Sequence, residues 1–132
     1  MADGGSEDGT VAIAGPYADR VVVAPRGRAS QMNAGARCAS GDVLLFLHAD
    51  TILPDQADEL IAVMLADPRC LWGRFDVRIE GRHFLLPVVA AMMNLRSRLT
   101  GICTGDQALF MRRPTFVEID GFPDTPLMED IA

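Results

Sequence analysis

Four small groups of residues in this chain are of types that do chemistry. His48 and Asp50 stand one residue apart, just past a wholly apolar run. A carboxylate so placed can coordinate a hard divalent cation, because Mg2+ and Mn2+ take oxygen ligands and commonly share one or two carboxylates with substrate phosphates. An imidazole can assist, and it suits Mn2+ better than Mg2+. The plainer reading gives Asp50 to the turn that leads into the next helix and leaves His48 structural. Glu129 and Asp130 offer a general base for a hydroxyl, or Asp130 caps a helix starting at Ile131. Arg26 and Arg28 flank Gly27, and guanidinium groups match phosphate oxygens in a bidentate way; a solvated loop would look the same. Gly105-Asp106-Gln107, read alone, is an ordinary turn before a strand.

The elements that must position these groups alternate between strand and helix. Asp3 to Thr10 is a turn, followed by apolar residues that suit a short helix, with Ser6 or Asp8 as its cap. Val21-Val22-Val23, within 20–24, fits a buried parallel strand. Ser30 to Ala39 is expected to be helical and to stop at Gly41. Asp42 to Leu47 is the clearest strand, apolar throughout after Asp42 and therefore expected to be covered on both faces. Pro54 opens a helix in which Leu60, Ile61, Met64 and Leu65 recur at helical spacing, and Asp67-Pro68 ends it. Leu71 to Ile79 alternates as a strand, with Phe75, Val77 and Ile79 on one side and Asp76, Arg78 and Glu80 on the other. Phe84 to Leu99 reads as a helix, Gln107 to Met111 as a strand, Pro114 to Ile119 as a short helix and Gly121-Phe-Pro123 as a turn. This alternation predicts an α/β domain with a largely parallel sheet. Ligands of such sheets bind beyond the carboxyl ends of the strands, where His48 and Asp50 fall.

The bulk properties exclude several classes of function. A chain of 132 residues holds one domain and one core. Its net charge of −6 argues against a nucleic-acid partner, whose footprint is basic. All twelve basic residues are arginine, which removes Schiff-base lysine chemistry and the phosphate-binding lysine of a P-loop. Cys38, Cys70 and Cys103 are too far apart for a zinc motif and odd in number, so free thiols are expected. The run from Phe84 to Met93 contains Pro87 and is far shorter than the ~20 residues of a membrane span. No transmembrane segment and a cytoplasmic location are therefore expected, with peripheral membrane contact as a further option. The helix at 84–99 leaves that option open: its apolar half followed by Arg96 and Arg98 could touch a membrane surface. More often such a stripe is core with arginines suiting the helix dipole, and core is the reading taken here.

The order of the motifs along one chain adds what no single motif carries. Asp3-Gly-Gly-Ser-Glu-Asp-Gly-Thr10, Pro25-Arg-Gly-Arg28, Gln31-Met-Asn-Ala-Gly35 and Ser40-Gly-Asp-Val-Leu-Leu-Phe-Leu-His-Ala-Asp-Thr51 occur in succession. Gly105-Asp-Gln107, Gly121-Phe-Pro123 and Met128-Glu-Asp130 follow. Together they resemble family 2 glycosyltransferases of the GT-A fold, nearest to a bacterial subgroup labelled arsenosugar-biosynthesis glycosyltransferase-like. The resemblance implies a Rossmann-like three-layer α/β fold. It also implies transfer of a sugar from a UDP- or GDP-linked donor to an acceptor hydroxyl, by a single inverting displacement with Mg2+ or Mn2+.

Roles carry over position by position. Asp3 matches the aspartate that contacts the nucleotide base. Arg26 or Arg28, with Asn33, fall where the family approaches the ribose and diphosphate. Asp50 matches the last aspartate of the Asp-x-Asp metal motif, and His48 stands where the first would be. Asp106 and Gln107 lie on the acceptor side, and Asp130, beside Glu129, matches the catalytic base.

Family members begin with an apolar strand that has no counterpart before Asp3, and helices follow the base. The reading is therefore a single incomplete catalytic domain over 1–132, lacking the first strand and the C-terminal helices. Self-association through unpaired strands is expected of it. The alternative is a catalytically impaired module that binds a nucleotide sugar or a partner. A sugar nucleotidyltransferase ranks below both, since it would carry a Gly-rich loop with a basic residue near the N-terminus.

Overall fold

A computed structural model describes residues 1–123. Among them the chain divides into two units, one of Met1–Leu44 with 113–123 and the other of Leu45–Arg112. Each is mixed α/β.

In the first unit, β1 (Ala2–Asp3) and β2 (Val22–Val23) pair in parallel, with Ala2 opposite Val22 and Asp3 opposite Val23. The expected strand at 20–24 is present, but Val23 is 73% exposed, so it is not covered on both faces. Between the two strands lie α1 (Thr10–Ala14) and a 3-10 turn at Gly15–Tyr17. Gly9 is the cap residue of α1, and the Asp8 carboxylate accepts from the Thr10 N–H and hydroxyl just inside it. The expected helix at 30–39 is α2 (Arg28–Cys38). It buries Ala29 and Ala36, seven residues and two turns apart, and small residues there let it approach β1. After the second unit the chain returns as α5 (Arg113–Glu118). Phe116 packs edge-on against Phe122 at 5.6 Å, and Arg113 donates through its backbone N–H to Asp42 C=O and through Nε to Gly41 C=O.

β3 (Val43–Leu45) leads from the first unit into the second. The apolar run at 42–47 predicts a strand covered on both faces. Leu44 alone is buried, while Val43, Leu45 and Leu47 are exposed, so this strand alternates like a half-covered one. β5 (Phe110–Arg112) lies between β3 and β4 (Trp72–Gly73) in a three-stranded sheet. β4 runs antiparallel to β5, with Trp72 opposite Met111 and Gly73 opposite Phe110, an antiparallel pair in a fold expected to be largely parallel, whereas β1–β2 is parallel. Gly73 is required by close approach: a Cβ there would sit 2.5 Å from the Phe110 ring.

The core of the second unit joins Ile61 and Leu65 of α3 (Ala57–Leu65) to Phe110, with Cys70 and Phe75 against them. Leu60 and Met64, counted with the same apolar stripe, are exposed. Arg112 reaches back to the carbonyls of Leu65 and Cys70 and so places a cation at the end of α3.

The segment 71–79 forms ladder pairs only at Trp72–Gly73, although its burial alternates as expected: Phe75, Val77 and Ile79 are half-buried and 76, 78 and 80 exposed. Beyond Phe75, whose N–H donates to Gln107 C=O at 2.8 Å, a side chain replaces the neighbouring strand. Asn94 accepts from Val77 N–H at 2.9 Å and donates to Val77 C=O at 3.0 Å, satisfying both backbone groups.

Asn94 lies on α4 (Leu86–Thr100), which corrects the reading of this helix as core. Only Ala90 and Ser97 of α4 are buried and Leu86 and Met93 are half-buried, while Val88, Val89, Met92, Leu95 and Leu99 face solvent. No helix among the described residues is long and apolar enough to cross a membrane. Cys38, Cys70 and Cys103 are free thiols, as expected.

Candidate functional site

Past the end of β3 the chain turns sharply, with Thr51 N–H donating to His48 C=O at 3.1 Å. The turn brings His48 and Asp50 together with Asp106 from a separate 3-10 turn, Gly105–Gln107. One ligand atom from each of these three residues lies within 4.8 Å of the others. That spacing is comparable with twice the ~2.1 Å metal–oxygen distance of a small divalent cation. His48 Nδ1 is 3.4 Å from Asp106 Oδ1, and the imidazole is mostly covered while the Asp106 side chain is half open. The Asp50 carboxylate is exposed and takes no hydrogen bond among the described residues.

Gly105 seats the histidine. A Cβ at this position would lie 1.9 Å from His48 Cε1 and 2.1 Å from Nε2, so the ring rests on the bare glycine backbone. The φ at Gly105 is not left-handed, and the requirement is for space alone. Asp106 is held by its neighbour: Gln107 is fully buried, and its Oε1 accepts from Thr104 N–H at 3.2 Å while Thr104 C=O accepts from Gln107 N–H at 2.8 Å. With the Thr104 side chain also accepting from the Gln107 N–H, the two residues form a capping box around a single turn. Gln107 Nε2 also points at Asn94 Oδ1, at 3.4 Å.

Gln107, expected on the acceptor side, therefore presents no group outward, and its side chain fastens the turn that carries Asp106. Asp106, expected there too, stands beside His48. The sequence reading missed Gly105 as a seat and Asn94 as a brace. A lone amide amid the apolar residues of α4 was the available signal for Asn94.

The residues expected to meet the nucleotide fall in the first unit. Asp3 is buried, and its carboxylate is occupied by its own loop: Ser6 Oγ donates at 2.6 Å, Ser6 N–H at 2.9 Å and Gly5 N–H at 2.8 Å. The Ser6 hydroxyl, then the Ser6 N–H, hold this carboxyl below its ordinary value of 3.8 against the opposing effect of burial. Asn33 is likewise committed, since its amide donates to Phe122 C=O at 2.8 Å and accepts from Phe122 N–H at 3.0 Å. It clamps the Gly121-Phe122 turn to α2, which commits one N–H and one lone pair of the amide to the backbone. Arg26 and Arg28 are exposed on either side of Gly27, and neither makes an ion pair among the described residues. Glu129 and Asp130, the expected catalytic pair, lie outside the described residues.

Two chemistries are open to the corner at His48. All three residues could ligate one cation, or Asp50 and His48 Nε2 could ligate while Asp106 orients the ring through Nδ1–H. Either needs a neutral imidazole and two ionised carboxylates. The donor set, oxygen-rich with one imidazole, suits Mn2+ or Mg2+ and lacks the thiolates that would favour zinc or a soft metal.

The family model described as glycosyl transferase family 2 matches residues 1–116. No curated protein and no solved structure matches the chain significantly.

Proposed function

From the premise that this chain belongs to glycosyl transferase family 2, we propose that it transfers a sugar from a UDP- or GDP-linked donor to an acceptor hydroxyl with inversion. The observation that supports this most is the convergence of His48, Asp50 and Asp106 at a strand end. A Mg2+ or Mn2+ ion bound there would supply Lewis-acid stabilisation of the charge that develops on the departing nucleoside diphosphate. On this reading Asp50 holds the cation, His48 and Asp106 complete its ligands, and Gly105 keeps the ring in place. Arg26 and Arg28 receive diphosphate oxygens, and the loop that Asp3 organises meets the base. Asp130, with Glu129 beside it, takes the proton from the acceptor hydroxyl as its oxygen bonds to the anomeric carbon and the bond to the diphosphate breaks. The likeness to the arsenosugar-biosynthesis subgroup is part of the same proposal.

A second reading, an impaired nucleotide-sugar-binding module, is favoured by His48 at the first metal position and by the internal commitments of Asp3 and Asn33. Calorimetric titration of UDP and GDP with and without Mn2+, on the wild type and on Asp50→Ala, tests the donor site. Binding that needs Mn2+ and falls at least ~100-fold in Asp50→Ala is expected, as for loss of a principal charged ligand. Nucleotide binding indifferent to Mn2+ would sink the metal assignment. Binding with no turnover of any donor, hydrolysis included, selects the second reading.

A further inference from the structure

α4 is amphipathic in the reverse of the usual sense. Its fully buried positions are small, Ala90 and Ser97, and beside them the Asn94 amide is bonded to Val77, with Leu86 and Met93 half-buried at the margin. Its solvent face carries Leu85, Val88, Met92, Leu95 and Leu99, each between 45% and 76% exposed. Their spacing alternates three and four residues, so they form one continuous seam along the helix. Phe84, just before the helix, is 79% exposed and extends the seam.

The charge around this seam opposes that of the whole chain. Residues 77–100 hold Arg78, Arg82, Arg96 and Arg98 against Glu80 alone, in a protein of net charge −6. Arg98 is spent on Asp76, which Arg74 also contacts. Arg78, Arg82 and Arg96 are exposed and unpaired among the described residues. Arg78 and Arg82 line a cavity of about 680 Å³ beside the helix, with His83 and Phe84.

We propose that this face is a docking surface for an anionic phospholipid membrane, on which α4 lies in the plane of the interface with its seam among the acyl chains and its arginines among the headgroups. Length decides the orientation. Fifteen residues at 1.5 Å each extend about 22 Å, short of the ~30 Å hydrocarbon core, so the helix can lie on a membrane and cannot span one. Charge decides the partner. A second copy docking through the same face would bring three unpaired arginines against three, whereas an anionic surface attracts all of them. The proposal is independent of the metal corner and of the transfer reaction.

Sedimentation of the full chain with phosphatidylcholine vesicles, with and without about one-third phosphatidylserine, tests it. The chain is expected to co-sediment with the anionic vesicles and to be released by salt. Arg78→Gln/Arg82→Gln should weaken binding about five-fold for each arginine removed. Met92→Glu/Leu95→Glu should abolish it. Both pairs are exposed, so an unchanged circular dichroism spectrum serves as the folding control, and nucleotide titration of the same variants should match the wild type. Failure to bind anionic vesicles overturns the proposal. So does a concentration-dependent dimer in velocity sedimentation that Met92→Glu/Leu95→Glu disperses, because the face would then belong to a second copy.

Discussion

The Asp3 loop and the His48 corner carry acidic residues that the sequence marks in the same way, and the two spend them differently. Asp3 gives its carboxylate to three donors within its own loop, and Asn33 of α2 ties its amide to the backbone of Phe122. At the other corner the structural cost is borne by neighbours. Gly105 yields space and Gln107 and Asn94 supply the bonds, while Asp50 and most of Asp106 stay open to solvent. A motif residue is available to a ligand when another residue does its structural work. That distinction separates scaffold from site here better than residue type does.

The largest expected effect comes from filling the seat. Gly105→Ala forces the His48 ring to move, and Mn2+ affinity should fall ten- to hundred-fold, the usual cost of disturbing a ligand's support. Titration calorimetry reads it, and an unchanged affinity would mean that His48 is no ligand. Next is the brace. Asn94→Ala leaves the N–H and C=O of Val77 without partners and frees Gln107, and should cost about 2 kcal/mol in a denaturant melt, with metal affinity falling as the turn loosens. In the first unit, Asn33→Ala should cost about 1 kcal/mol of stability and leave nucleotide affinity as it was. A lost affinity would return Asn33 to the binding site and weaken the contrast.

The smallest effect is one of acid dependence. The Asp3 carboxyl sits below its ordinary value in the folded loop, so its contribution to stability is present above that value. It is lost as the pH falls from about 4 through the lowered folded value. Ser6→Ala removes the principal donor and should flatten the melting temperature across that range. An equally steep acid limb in the variant would show that the loop bonds do not matter to stability.

The family and the α/β class were legible because they rest on motif order and on alternating elements, both written locally. The strand that precedes His48 and the helices at 28–38 and 57–65 were legible for the same reason. What was hidden depended on the far side of each element. The run at 42–47 is apolar enough for full burial, yet Val43, Leu45 and Leu47 are exposed. The stripe on α4 has the spacing of a core helix, and only the packing of Ala90, Asn94 and Ser97 reveals that it faces the other way. The role of Gln107 was hidden because an amide reads alike whether it faces an acceptor or a buried backbone. The seat at Gly105 was hidden because a glycine needed for space is indistinguishable in sequence from one needed for a turn.

The short strand β4 gives the second unit its own spectroscopic label. Trp72 is the sole tryptophan of the chain and belongs to that unit, whereas the sole tyrosine, Tyr17, belongs to the first. Indole emission therefore watches the half that carries His48, Asp50 and Asp106, whereas Tyr17, 91% exposed, meets water already and leaves that emission unopposed. Unfolding followed by that emission and by far-ultraviolet circular dichroism, which averages over both halves, would report whether they melt together, the usual test for a single cooperative transition. Cation added to one cuvette would show which signal moves first, without any probe attached to the protein.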